Sequence, residues 1–204
     1  MSFAASGGCD RGAKRIPPPT VKPAAAAKAA MDEYDVDADG RISGEELAKC
    51  PAVRNLRDKY VADAKIMIRK GGKDNAVQRQ LDEDGVTVEM IQQTIQGWLD
   101  HKVGRVGYFC NVFHNGKPFG GAKLRLVPER FLGSGFREAV GIVEANGNCN
   151  VSVPDIQPRG ITVGFYRVEI TKDGEDIPVK FNKETIFGAA VSGPVVDGSF
   201  NLKY

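Results

Sequence analysis

The chain has 204 residues, of which 26% are charged and 42% hydrophobic; this is ordinary for a globular protein and excludes general disorder and a fibrous fold. A formal net charge of +2, without any run of five Lys or Arg residues, argues against a nucleic-acid partner. No run of about 18 apolar residues occurs, so no transmembrane segment is expected. The length accommodates two modest domains.

The charges divide the chain into three segments of different character. Residues 1–24 carry 4 basic and 1 acidic side chains, residues 25–103 carry 12 and 15, and residues 104–204 carry 12 and 10. Only the middle segment has an excess of carboxylates, so it is the segment in which we expect a bound cation.

The first 23 residues are predicted to form a disordered, proline-rich tether, because three consecutive prolines and a fourth at Pro23 favour polyproline II. The stretch Met1–Cys9, MSFAASGGC, resembles the small-residue end of a bacterial lipoprotein signal, with Gly8 directly before the cysteine. Ser6 stands where an aliphatic residue is expected, and upstream basic and long apolar regions are absent. Two interpretations stay open: a lipid-anchored Cys9 from a precursor trimmed before this chain begins, and a free cysteine in a mobile terminus.

Four helices are predicted between residues 24 and 102, and they would form a small helical domain. Alanine favours the first helix, and Pro51 ends or bends the second. Apolar residues at spacings of three and four give the third and fourth helices one buried face each. Thr87 is a candidate N-cap of the fourth helix. Trp98, on the apolar face of that helix, is expected in the core rather than at a ligand site. The predicted bounds are Ala24–Tyr34, Gly44–Cys50, Val53 to Gly71-Gly72 and Thr87 to about His101.

Between the first two helices the sequence Asp35–Glu46 reads DVDADGRISGEE, in which oxygen-bearing residues recur at the positions of a twelve-residue calcium loop. Gly40 at position six can adopt the positive φ that turns the chain around an ion. Ile42 at position eight is expected to point into the core. The predicted Ca²⁺ ligands are the side chains of Asp35, Asp37, Asp39, Ser43 (directly or through water) and Glu46, with the carbonyl of Arg41.

This loop resembles that of the EF-hand calcium-binding family, whose pattern it fits at every position. The resemblance covers about residues 24–50, since Met31, Tyr34 and Leu47 occupy the family's flanking apolar positions. It implies a helix–loop–helix unit that binds Ca²⁺, within a helical domain that ends near residue 100. Family loops work in pairs whose position-eight residues join in a short two-stranded contact, so a partner loop is expected downstream.

The candidate partner loop is DEDGVTVEMI, residues 82–91, aligned so that Val86 corresponds to Ile42. It is one residue short, and Met90, which cannot coordinate calcium, falls at position twelve. It is therefore predicted to be a degenerate loop that packs on the first through Val86 without binding metal tightly. A weak second site is left open, formed by Asp82 and Asp84.

From about Gly104 the apolar residues recur at every second position, as in Val106, Tyr108, Cys110 and Val112. Strong turn signals separate such runs: Asn115-Gly116, Asn146-Gly147 and Asp173-Gly174. Residues 104–204 are therefore predicted to form an antiparallel β-sandwich of about seven strands. The fold class is α+β with two domains, and their junction at Lys102–Arg105 is short enough to limit their relative orientations.

The second half resembles the transthyretin-like or carboxypeptidase-regulatory-like β-sandwich domains of bacterial secreted proteins. The residues that carry the resemblance are GKPFGGAKLRLVPE (116–129), GIVEANGNCNVSV (141–153) and VGFYRVEITKDGEDIP (163–178). The whole chain is similar to bacterial extracytoplasmic proteins that place an EF-hand segment before such a sandwich. This implies a periplasmic or cell-surface location and a sandwich that serves as an interaction module.

The sequence offers no catalytic constellation. One enzyme class with the transthyretin fold, the hydroxyisourate hydrolases, relies on histidines and a tyrosine-arginine-glycine-serine tail, whereas this chain has NLKY at its end and only two histidines. His114 adjoins a turn and His101 ends a helix, without the partners of a nucleophilic triad or a zinc site. The protein is therefore predicted not to be an enzyme.

Two features leave alternatives open. The segment 129–136, ERFLGSGF, is either a recognition loop or a connection whose two phenylalanines enter the core. Cys110 and Cys149 both fall on inward-facing positions; they can form a disulfide if their strands face each other across the sandwich, and otherwise remain two buried thiols. Cys50 is expected to be unpaired and buried.

These observations predict a non-enzymatic, calcium-binding protein outside the cytoplasm, in which one ion mainly stabilises the helical domain and its placement on the sandwich. Two other functions are left open. One is a calcium sensor that exposes an apolar groove to a partner, although one intact loop and four methionines are few for that role. The other is a carbohydrate- or peptide-binding module of a cell-surface complex, with a protein or glycan partner on the sandwich.

Overall fold

The computed structural model describes residues 16–69, 85–102, 104–192 and 197–204, and over these ranges the protein is α+β, with helices followed by β-sheets. Three of the predicted features lie outside the described residues. They are the terminus with Cys9, the helix end at Gly71-Gly72, and the pair Asp82 and Asp84.

The described residues contain four helices: α1 (Pro23–Tyr34), α2 (Gly44–Lys49), α3 (Pro51–Arg69) and α4 (Val88–Asp100). A proline begins both α1 and α3, where the missing N–H would have no helical acceptor in any case. Thr87 precedes α4, and its side chain accepts a hydrogen bond from the N–H of Met90. The predicted N-cap at Thr87 is therefore confirmed.

Ten strands in the described ranges form three sheets. A two-stranded sheet pairs β1 (Arg41–Ile42) with β2 (Val86–Thr87). In the first four-stranded sheet, β3 (Tyr108–His114) pairs with β4 (Lys117–Pro118), β7 (Asn148–Val151) and β10 (Asp197–Leu202). The second four-stranded sheet has the order β6 (Ala139–Ile142), β5 (Lys123–Pro128), β8 (Gly164–Thr171) and β9 (Gly188–Val191).

One strand pair departs from the expected antiparallel arrangement. β10 runs parallel to β3, with Asp197 opposite Phe109 and Leu202 opposite His114, whereas the other ladders among the described strands are antiparallel. Alternation along a strand predicts which residues face inward but not the direction of a neighbouring strand. The chain reaches β10 only after forming the whole second sheet, and a parallel pair needs such a long connection.

The structure decides both alternatives that the sequence left open in this region. Cys110 and Cys149 are opposite each other on neighbouring strands of one sheet, not on strands that face each other across a sandwich. The condition for the disulfide is therefore not met, and the alternative of two buried, free thiols is found; the thiol of Cys50 is likewise buried and free. Phe131 and Phe136 are buried as well, so the segment 129–136 contributes its aromatic side chains to the core.

Residues 16–22, the described part of the predicted tether, lie against the folded protein. A side chain at Gly104 would meet the carbonyl oxygens of Ile16 and Pro17, so the absence of one allows this close approach. Val21 is partly buried against the apolar core. This part of the tether is therefore packed, where the composition predicted disorder.

The helices pack directly on the second four-stranded sheet. The indole of Trp98 contacts the ring of Phe165 in β8, with ring centroids 5.1 Å apart, and only 3% of Trp98 is exposed. A Cβ at Gly188 of β9 would collide with the backbone of Pro51 and Ala52, so this glycine lets the start of α3 touch the strand. Buried residues from helices and sheets form one contiguous apolar cluster. We call the part of this cluster in which the helices contact the second four-stranded sheet the helix–sheet interface.

One carboxylate, Glu129, is buried in the helix–sheet interface and is only 2% exposed. The hydroxyl of Tyr34, at the end of α1, donates a hydrogen bond to it over 3.1 Å, and the Nε of Arg167 in β8 lies 3.9 Å away. The thiol of Cys50, directly after α2, lies 4.0 Å from its other oxygen. Burial raises the pKa of Glu129 to about 7, although the Arg167 charge and the Tyr34 hydrogen bond act in the opposite direction.

The substitution Glu129→Gln is expected to stabilise the protein increasingly as the pH rises from about 5 to 8. The pKa of this carboxyl is higher in the folded than in the unfolded state, so the wild-type protein loses stability as the pH rises from about 4.5 to about 7. Glutamine keeps an acceptor for Tyr34 and carries no charge. Denaturant unfolding should show the free energy of unfolding of the variant, relative to wild type, growing by about 2 kcal/mol over this range.

Glu138→Gln provides the matched control, because Glu138 is an exposed partner of Arg125. It should change the free energy of unfolding by less than about 1 kcal/mol, with little dependence on pH above 5. A difference between Glu129→Gln and wild type that stays constant from pH 5 to 8 would contradict the raised pKa.

Candidate metal centre

The loop between α1 and α2 gathers three of its carboxylates. Its first residue follows α1 directly and its last lies in the first turn of α2. Gly40 has a φ of +87°, which is the conformation that its place in the pattern requires. Oxygen atoms of Asp35, Asp37 and Asp39 lie within 4.8 Å of one another, so the structure brings the first three predicted ligands together.

Backbone N–H groups of the loop orient these carboxylates. The two oxygens of Asp35 accept hydrogen bonds from the N–H of Asp39, at 3.1 Å, and from that of Gly40, at 3.0 Å. Asp39 in turn accepts one from the N–H of Arg41 at 2.8 Å. Such local bonds are typical of Asp in tight turns, and each carboxylate oxygen keeps a lone pair that a cation can use.

Glu46, predicted as the bidentate ligand at position twelve, closes the loop through the backbone. Its Oε1 accepts hydrogen bonds from the N–H of Val36, at 2.6 Å, and of Asp37, at 3.4 Å, and its Oε2 accepts one from the N–H of Ser43 at 3.0 Å. The bond from Ser43, followed by that from Val36, lowers the pKa of Glu46. The side chain is therefore an ionised carboxylate at neutral pH, turned toward the loop.

The remaining predicted ligands lie where the loop enters α2. Arg41 is in β1, opposite Thr87. Ser43 is the N-cap residue of α2 with an extended backbone, and Glu46 three residues later completes a capping-box sequence. Of the described carboxylates, only the three aspartates form a cluster, whereas Glu46 bonds to backbone amides of the same loop.

The contact predicted between the two loops is present. Ile42 pairs with Val86 across β1 and β2, and both side chains are fully buried. Gly85 has a φ of +121°, and a Cβ at this position would lie 3.0 Å from the Cβ of Ser43 and 3.2 Å from that of Arg41. The second loop therefore passes close to the first only because residue 85 has no side chain.

The second loop presents no metal-binding cluster in its described residues. Met90, aligned with position twelve, lies in the first turn of α4, and its N–H bonds to Thr87. Over the described parts of the chain, the first-loop aspartates are the one group of acidic, Cys or His residues close enough together to hold an ion. The weak site at Asp82 and Asp84 lies outside those parts and stays a prediction.

Both histidines are engaged by neighbouring groups. The Nδ1 of His101 lies 2.6 Å from the carbonyl oxygen of Gly97, which requires the proton to be on Nδ1. His114 stacks on Tyr204, with ring centroids 4.3 Å apart, and its Nε2 lies 3.0 Å from the amide nitrogen of Asn115. These contacts place His114 in a surface aromatic group and His101 at the end of α4.

Sequence reasoning missed two features around the loop. The amides that hold Glu46 could have been foreseen, because the Ser43–Glu46 spacing is that of a capping box. Glu129 could not have been, because nothing local marks it as buried. Its environment arises only when Tyr34, the residue before the loop, packs against the segment that follows β5, and Arg167 of β8 lies beside the carboxylate.

No known family model matches the chain, and no curated protein matches it either. In the part of the chain that the structure describes, no helix has both the length and the apolar character needed to cross a bilayer. The function is therefore argued from the site itself.

Gly85→Ala is expected to lower the free energy of unfolding by about 2 kcal/mol. The alanine would have to adopt an unfavourable positive φ, and its methyl group would lie too close to Ser43 and Arg41. The control is Gly174→Ala, where φ is +76° and nothing lies within 4 Å of the added Cβ. That change should cost about 1 kcal/mol. Denaturant unfolding of both variants in chelator measures the difference, and equal losses would contradict a close approach of the two loops.

Proposed function

We propose that this protein binds one Ca²⁺ ion in the loop Asp35–Glu46 by EF-hand coordination, and that the ion has a structural role. The observation that carries this proposal is the cluster of three aspartates at positions one, three and five, with oxygens within 4.8 Å of one another, followed by a glycine of positive φ. The full ligand set would be Asp35, Asp37, Asp39, the Arg41 carbonyl, Ser43 and Glu46.

The donor set favours calcium over other metal ions. The loop contains oxygen donors and neither Cys nor His, which argues against zinc and other ions that prefer nitrogen or sulfur. Calcium accepts six to eight oxygens in a flexible geometry, whereas magnesium requires a near-ideal octahedron and retains several waters. A ligand set of four carboxylates, one carbonyl and the Ser43 hydroxyl suits the larger ion.

Charge supplies the driving force for binding. Three ionised aspartates held this close repel one another, and the amide hydrogen bonds offset only part of that repulsion. A divalent cation would replace the repulsion with attraction. Glu46 would exchange its bonds from Val36 and Ser43 for the ion, and its lowered pKa means that protons do not compete at neutral pH.

The structural role follows from where the two flanking helices end. Tyr34, the last residue of α1, bonds to Glu129 in the helix–sheet interface, and Cys50, just after α2, lies against the same carboxylate. The next residue, Pro51, contacts Gly188 of β9 through its backbone. An ion that fixes the angle between α1 and α2 would therefore also stabilise the placement of both helices on the second sheet.

We further propose that residues 104–204 form a transthyretin-like β-sandwich that binds a protein or glycan partner, in a non-enzymatic protein located outside the cytoplasm. The support for a sandwich is the division of the strands into two four-stranded sheets whose alternate side chains are buried. The location rests on the resemblance of the two segments, in this order, to extracytoplasmic proteins. A lipid at Cys9 would be consistent with that location.

Calcium is expected to raise the melting temperature by roughly 3–10 °C at about 10 mM, relative to chelator. This range follows from mass action with a dissociation constant of ~10⁻⁴–10⁻³ M, typical of extracellular modules, in a chain of this size. Thermal unfolding followed by circular dichroism provides the measurement. An identical melting temperature in calcium and in chelator would refute calcium binding.

Two matched variants locate the ion. Glu46→Gln removes a ligand and is expected to abolish the shift, whereas Glu45→Gln, which removes the same charge from the exposed neighbouring residue, should retain it. Each variant is compared with its own melting temperature in chelator, so that loss of the Glu46 hydrogen bonds is not mistaken for loss of calcium. A full shift in Glu46→Gln would place the ion elsewhere.

Calorimetric titration with calcium is expected to give one ion per chain. The second loop is one residue short and has Met90 in place of its last ligand, so it should not match the first in affinity. Two equal sites would contradict the degenerate second loop. A second, weaker event that disappears in Asp84→Asn would assign the weak site to that loop.

A further inference from the structure

A pocket of about 300 Å³ opens between α3, α4 and β9, at the edge of the helix–sheet interface. None of the predicted calcium ligands lines it. Its apolar wall includes Leu56 and Trp98, with Ala190 on the side of the strand. This volume and lining are in the range that small-molecule sites in proteins show.

The glycine at position 97 is a second observation, independent of the volume, that indicates a binding pocket. It lies in the interior of α4, where glycine is the least favourable residue apart from proline. Within the described part of the chain, nothing lies within 4 Å of a Cβ added at Gly97, so close helix packing does not explain the glycine. The missing side chain instead leaves open space at the pocket wall formed by Trp98 and Thr94.

The charge of the pocket is one-sided. Among its lining residues in the described part of the chain, Lys59 carries a charge and none is Asp or Glu. The Nζ of Lys59 donates to the hydroxyl of Ser192 at 3.0 Å, and no described carboxylate pairs with it. With respect to the described side chains, two of its three N–H groups are therefore available to an anion.

Two further polar groups belong to residues that line the pocket, Tyr60 and Trp98. Thr94 donates to the carbonyl of Met90 at 2.8 Å, so the hydroxyl of Tyr60, 3.4 Å from Thr94, acts as the donor in that pair and its oxygen can accept. The indole N–H of Trp98 is buried and has no hydrogen-bond partner among the described residues. A buried Trp N–H ordinarily has a partner, so the described residues around Trp98 lack an acceptor for this group.

We propose that this pocket binds a small organic anion, a carboxylate or sulfonate with a flat apolar body. The body packs on Trp98 and over Gly97, and the anionic group pairs with Lys59 at the rim. Trp98 thus belongs to the core on one face, where it contacts Phe165, and lines a binding site on the other. This inference goes beyond calcium binding and does not depend on it.

A pair of naphthalene probes tests both the place and the charge preference. Anilinonaphthalene sulfonate is an apolar anion, and N-phenyl-1-naphthylamine has the same ring system without the sulfonate. Trp98 is the only tryptophan in the chain, so energy transfer from tryptophan to a probe reports binding beside this pocket. Saturable binding of the anionic probe at one site per chain, with energy transfer from Trp98, is expected.

Lys59→Gln is expected to weaken binding of the sulfonate probe about tenfold and to change binding of the neutral probe by less than about twofold. Lys117→Gln, which removes the same charge from an exposed hairpin residue outside the pocket, should leave both affinities unchanged. Equal affinity of the sulfonate probe for wild type and Lys59→Gln would overturn the proposed charge pairing.

Gly97→Leu fills the pocket from within α4. Because the added Cβ has open space and leucine favours a helix, the melting temperature should not fall, while binding of both probes should be lost. If leucine lowers the melting temperature, Gly97→Ala gives the same test with a smaller loss of affinity. Binding that survives both changes, or that shows no energy transfer, would overturn the site.

The same titrations in Glu46→Gln separate this inference from calcium binding. Probe binding is expected to persist in that variant, because none of the predicted calcium ligands lines the pocket. Loss of probe binding in Glu46→Gln, with the fold intact by circular dichroism, would show instead that the dye reports a calcium-dependent apolar groove and would overturn the pocket assignment.

Discussion

Trp98 packs on Phe165, and the start of α3 rests on the backbone of β9 at Gly188, so the helices and the second sheet share one apolar core. Both candidate sites depend on this interface. The loop Asp35–Glu46 reaches it through Tyr34 at one end, and the pocket is bounded by α3, α4 and β9. If the helices packed only on one another, the loop would have no contact through which to affect the sheets. The pocket would also lack the wall that β9 forms.

Two opposing influences act on the helix–sheet interface: the buried carboxylate of Glu129 and the proposed calcium ion. Its carboxylate is buried beside Tyr34 and Arg167, and its raised pKa shows that ionisation is unfavourable there. Above neutral pH the interface therefore holds a charge that weakens it. A calcium ion in the proposed site would act from the other side of Tyr34, because it would order the loop that begins at Asp35 and so restrain the end of α1. In the proposed function the ion thus offsets, at physiological pH, a weakness that the buried carboxylate introduces.

The turn at Gly40, the contact between the two loops and most helix ends could be predicted because local residues determine them, although α3 begins at Pro51 and not at the predicted Val53. The sequence predicted that Gly40 turns the chain, that Thr87 caps a helix and that Ile42 contacts Val86. The structure shows each of these features. The parallel pairing of β3 with β10 and the adjacency of Cys110 and Cys149 depend on which distant strands meet, and alternation within a strand carries no such information. The burial of Glu129 was hidden for the same reason.

Helix α4 connects the two candidate sites physically. Its first turn follows β2, which pairs with the calcium loop through Ile42 and Val86, and its last two turns carry Gly97 and Trp98. A rigid helix transmits a shift at one end to the other only if it has two discrete positions on the sheet. Should it have them, calcium and the pocket ligand must affect each other's affinity by the same factor, because linkage is reciprocal. The contact of Trp98 with Phe165, with ring centroids 5.1 Å apart, favours a single position, so the two proposed sites are expected to bind independently.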